Sequence, residues 1–99
     1  MALLQTTVEA DDIITIRTVQ GVEIVAKFIS ESSSSIKVNK PLVINGTTSV
    51  ADTGITKALF GPLSSTMATL GDIEINNVNI LCANATDADI ATQYASQVS

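Results

Sequence analysis

Asp52-Thr53-Gly54 is the segment of this chain most like a catalytic loop. A carboxylate on such a loop works beside a second copy of itself, the two about 3 Å apart and sharing one proton. The spacing argues against that chemistry. Leu59-Phe60-Gly61, the apolar-apolar-Gly element that should lie beyond a flap hairpin, is separated from Gly54 by only four residues. The loop therefore reads as a turn. Two acid pairs, Asp11-Asp12 and Asp87/Asp89, have no histidine and no further carboxylates at ligand spacing. Histidine is absent from the whole chain, which removes every mechanism built on a neutral-pH imidazole. The single cysteine, Cys82, excludes an internal disulfide and a multi-cysteine zinc site. With no basic neighbour to activate it, Cys82 reads as a small core or interface residue. The expectation is a protein that is not an enzyme and carries neither metal nor cofactor.

What remains are groups that hydrogen-bond rather than react. Ser33, Ser34 and Ser35 close a serine run that begins at Ser30; Asn76 and Asn77 form a second polar step; Lys37 and Lys40 are the nearest cations. These groups fall at or beside breaks in an alternating pattern, and the elements around them must set their positions. Residues 13–19 and 22–29 alternate with a period of two, joined at Gln20-Gly21, where Gly21 can supply the positive φ of a tight hairpin. Residues 36–44 start a third strand, bent or interrupted at Pro41 because proline cannot donate to a ladder. Residues 45–71 are rich in glycine and hydroxyls and read as a hairpin or an excursion off the main body. Residues 72–76 alternate again, Asn76-Asn77 signals a turn, and residues 78–83 form a final strand with no charge. Thr86-Asp87-Ala88-Asp89 opens a helix over 87–98, with Ile90, Tyr94 and Val98 as a narrow apolar stripe. So short a helix is marginal alone and is expected to dock loosely.

Composition agrees with a sheet. Ile, Val and Thr make up a third of the 99 residues, and such side chains fit a pleated surface. The length fits one domain, 1–99. Only 15% of residues are charged, against roughly 25% in a typical soluble domain, so much of the surface is expected to be covered. The net charge of −5 speaks against a basic nucleic-acid clamp, and no DNA partner is expected. No stretch approaches a membrane span, and the amino-terminal residues lack the cationic start of a secretory signal. The expected location is a reducing cytoplasm, the host's if the protein is viral.

Two stretches together resemble the signature motifs of the Sm-like family, which includes the Sm, LSm and Hfq proteins. In the first, Gly21 stands at the turn glycine, Ala26 at a second small position and Glu31 near the acidic one. Ser34-Ser35 replace Met-Asn, and Ile36 and Val38 match the alternating strand. In the second, Ile75 through Ile80 follows the family's Ile-Arg-Gly-x-Asn-Val, with Asn76 and Asn77 in place of Arg and Gly. The long insert at about 45–71 and the carboxy-terminal helix look more like the small Sm-like proteins of tailed bacteriophages.

The resemblance implies a mostly β, SH3-type open barrel of five strongly bent antiparallel strands over 12–83, followed by the helix. It also implies a homo-oligomeric ring of about five to seven protomers, the fourth strand of one against the fifth of the next. Val78, Ile80, Leu81 and Cys82 would form that interface, since their strand has no lysine, proline or inward charge to guard its edge. Single-stranded RNA would bind at the pore rim through Ser33, Ser34, Ser35, Asn76 and Asn77, with Lys37 and Lys40 supplying charge. The alternative expectation is a structural ring or adaptor, for instance a phage assembly component, that binds no RNA.

Overall fold

The computed structural model describes residues 8–49, 56–62 and 71–98. The turn expected at Asp52-Thr53-Gly54 lies outside them. Six strands and one helix follow in order: β1 (Ile13–Thr18), β2 (Glu23–Glu31), β3 (Ser35–Ser49), β4 (Thr56–Pro62), β5 (Asp72–Asn76), β6 (Ile80–Ala85) and α1 (Ala88–Val98). All pairings are antiparallel, in the order β4-β3-β2-β1-β6. β5 pairs the first part of β3, residues 35–39, and β4 pairs residues 42–49. The sheet curls into half a barrel.

Each joint has a local cause. Gly21 takes φ 88°, and Thr18 closes the β1–β2 hairpin by donating its N–H to the Val22 carbonyl and accepting from Gly21. β3, expected to bend or be interrupted at Pro41, runs on for 15 residues and carries its irregularity there. The pairing with β2 shifts between Val25 and Lys27, so Lys40 and Pro41 form a bulge opposite Ala26. A proline in a bulge forfeits no ladder bond. Lys40 adopts φ 51° there. The extra residue also swaps faces. Ile36 and Val38 point into the half-barrel, whereas beyond the bulge Leu42 and Ile44 point out of it.

Two cores result. Ile14, Ile16, Ile24, Phe28, Ile36 and Val38 fill the inner face. Val25 and Leu42 on the outer face are covered by Ile90 and Tyr94 of α1. Burial on both faces is why Ile13 and Val25 interrupt the alternation of β1 and β2 with apolar residues on the outer face.

Three expectations need correction. The described residues form six strands, not five, because part of the 45–71 insert is regular: β3 extends to Ser49 and pairs β4. The last strand begins at Ile80; Val78 and Asn79 belong to a 3-10 turn, Asn77–Asn79, capped by the Asn76 side chain. The helix is not loosely docked. Asp87 caps it through the Asp89 amide, Tyr94 is fully buried, and its hydroxyl donates to the Lys40 carbonyl that the bulge exposes. Among the described residues no helix is long and apolar enough to cross a membrane.

Candidate functional site

The serine turn and the asparagine turn meet within one chain. Ser35 lies directly opposite Asn76 in the β3–β5 ladder. Asn77 ties the two turns by donating its backbone N–H to the Ser34 carbonyl (2.8 Å) and its Nδ2 to the Ser33 carbonyl (3.2 Å). Asn76 uses its Oδ1 to accept from the Val78 amide (3.0 Å), which leaves its Nδ2 free among the described residues. Ser33 and Ser34 are exposed, while Ser35 and Asn77 are half-buried. Asn77 Oδ1 is buried without a partner among the described residues. A desolvated acceptor left unpaired costs about 1–3 kcal/mol, so the tie between the turns is held at some expense.

The residue that shapes this turn, Ser32, escaped the sequence reading. Its Oγ accepts from the amides of Ser34 (3.2 Å) and Ser35 (3.1 Å), and its own N–H donates to the Ser35 carbonyl (2.9 Å). The signal was present: a serine opening a polar turn mimics a backbone carbonyl to the amides two and three residues on.

The cations are placed differently from the polar groups. Lys37 lies across from Glu74 in the ladder, so a carboxylate faces its charge. Asn39 and Asp72, the next outward pair, are joined by an Nδ2–Oδ1 hydrogen bond of 2.6 Å. Lys40 is five residues beyond Ser35 on β3, about 16 Å at strand rise, and sits in the bulge beside α1. The structure thus brings Ser33, Ser34, Ser35, Asn76 and Asn77 together, puts Lys37 beside them with an acidic neighbour, and holds Lys40 apart.

The second candidate surface is the pair of open edges at β5 and β6. Thr86 donates its N–H to the Ile13 carbonyl (3.1 Å), which sets the phase of the β1–β6 ladder. Cys82 and Asn84 therefore bond β1, while Ala83 and Ala85 turn their backbone groups outward. The Ala85 amide is taken by its neighbour Asn84 Oδ1; the Ala83 backbone groups have no strand beside them among the described residues. On β5 the Asn77–Ser34 bond sets the phase, so Ile73 and Ile75 bond β3 and Asp72, Glu74 and Asn76 face outward. Of the predicted interface residues, Ile80 fills its own core at 6% exposure, while Leu81 (63%), Val78 (77%) and Cys82 are exposed. Val19, 56% exposed, donates its N–H to the Asn79 carbonyl, which brings it beside the turn that carries the exposed Val78.

On the outer face beside β6, Thr15, Arg17, Glu23, Cys82, Ala83 and Asn84 line a groove of about 460 Å³. Arg17 stands opposite Glu23 in the ladder, so the groove carries a compensated pair. Among the described residues no group of three or more Cys, Asp or Glu side chains is placed to hold a metal.

No protein-family model matches the chain, and no curated protein matches it in sequence.

Proposed function

We propose that this chain is an Sm-like ring subunit whose principal role is structural, as a ring or adaptor acting through protein contacts, for instance in phage assembly. The observation that carries this reading is the pair of open edges. β6 presents Ala83 with no lysine, proline or charge on the strand, and β5 presents a run of the same length scale. In an antiparallel ladder, paired residues put their side chains on one face. Ala83 keeps its side chain in the inner core, so it serves the contact through its backbone N–H and carbonyl alone. The strand–3-10 turn–strand passage from β5 to β6 holds both edges at opposite sides of the half-barrel, which suits a head-to-tail contact that closes on itself. Leu81→Lys tests the edge. The wild-type assembly is expected to fall to the mass of one chain in that variant; an unchanged mass contradicts the β6 contact.

A second reading, single-stranded RNA at the rim, is favoured by the meeting of the Ser32–Ser35 and Asn76–Asn77 turns. Its free Asn76 Nδ2 and serine hydroxyls suit unpaired base edges. The charges favour the structural reading: Glu74 faces Lys37, Lys40 is distant, and ring symmetry multiplies a net −5. Fluorescence anisotropy with short U-rich and A-rich RNA at about 50 mM salt decides between them. Binding that weakens in Ser35→Ala/Asn76→Ala, with assembly mass unchanged, supports RNA; no binding by the wild type leaves the structural role.

A further inference from the structure

β4 is a third strand edge, and it differs in kind from β5 and β6. The Ala58 amide points away from β3 and donates to Gln93 Oε1 of α1 at 2.8 Å. Strand alternation puts the backbone groups of Thr56 and Phe60 on that same edge. Above it, Phe60 and Tyr94 pack edge to face, with centroids 6.3 Å apart, and Ala58 and Phe60 join the outer core with Ile90. Pro62 ends the strand without an N–H, and Lys57 adds a charge. β6 has no proline, no charge and no helix over its edge; its one blocked amide is Ala85, taken by the neighbouring Asn84 Oδ1.

We infer that α1 is a cap on the β4 edge, closing it to a second copy of this chain, with the Gln93 amide oxygen occupying the position that a partner strand's carbonyl would take. With the cap removed, β4 pairs antiparallel with β4 of a second copy about a two-fold axis, Ala58 against Ala58. The cap confines assembly to β5 and β6. The inference concerns a separate edge and stands whether or not those two edges close a ring.

The test compares Gln93→Ala with Gln93→Glu, which keeps the acceptor oxygen. Sedimentation velocity over a concentration series reads mass, and amide hydrogen exchange reads Ala58. In dilute Gln93→Ala the Ala58 amide is expected to exchange about five- to tenfold faster than in the wild type. At higher concentration a species of twice the wild-type mass is expected, absent in Gln93→Glu. Ala58→Pro added to Gln93→Ala removes the N–H and is expected to restore the wild-type mass. The inference is overturned if Gln93→Ala keeps the wild-type mass at every concentration, or if its Ala58 amide exchanges as before. A wild type with the mass of one chain would end the ring reading, while doubling in Gln93→Ala would still support the cap.

Discussion

Tyr94 is the chain's one tyrosine, and with no tryptophan present it reports on the outer core without interference. Burial pushes its hydroxyl from 10.0 up to about 12. The unfolded chain ionises first, so between pH 10 and 12 it binds fewer protons than the folded one, and stability falls as pH rises through that window. Tyrosinate absorbance is expected to appear near pH 12 in the native protein and near 10 in denaturant; a native titration at 10 would mean the helix is not docked. Tyr94→Phe removes the bond to the Lys40 carbonyl and should cost about 1 kcal/mol in a denaturant titration. At this scale the sequence was only half legible. The spacing of Ile90, Tyr94 and Val98 showed which residues face the sheet, but not that a bulge at Lys40-Pro41 would expose a carbonyl for the hydroxyl. In the serine turn the eye falls on Ser33 to Ser35, yet Ser32 holds the geometry. Ser32→Ala is therefore expected to cost about 1 kcal/mol and Ser33→Ala close to nothing, measured the same way.

The strands were legible where periodicity is the dominant signal. β1, β2 and β5 fall within two residues of their expected bounds, since alternating apolar residues there line the half-barrel. β4 was not, because Thr-Lys-Ala-Leu-Phe-Gly-Pro shows no alternation of polarity: Ala58 and Phe60 face the helix while Leu59 faces solvent at 59% exposure. A strand whose outer face is covered by a helix loses the contrast that marks a half-buried one. Val78 and Asn79 were read as strand with the uncharged run that follows them, and the Asn76 cap turns them into a 3-10 turn instead. The helix is where the expectation changes most. Removing residues 87–99 would uncover Val25, Leu42, Ile44 and Phe60 together, so the truncated chain is expected to bind a hydrophobic dye and aggregate rather than assemble normally. A truncated chain that stays soluble with the wild-type mass would contradict the two-core architecture.

At the scale of the whole molecule, the strand edges set what the chain can pair with. A half-barrel has two ends; here one carries acidic residues beside β3, the other an uncharged strand beside β1, and the third exposed strand is capped by the helix. A 99-residue domain with few charges and with Val19, Val78 and Leu81 each exposed gains from covering such residues with another copy. Hydrogen-bonded strand pairing should tolerate salt better than a contact made of surface charges, so assembly is expected to persist at about 1 M salt, where the Debye length is about 3 Å. The most direct measurement is the absolute mass of the purified wild type by multi-angle light scattering at micromolar concentration. A closed ring is expected to give one discrete species of about five to seven times the 10.3 kDa chain. A stable species of 10.3 kDa would contradict it.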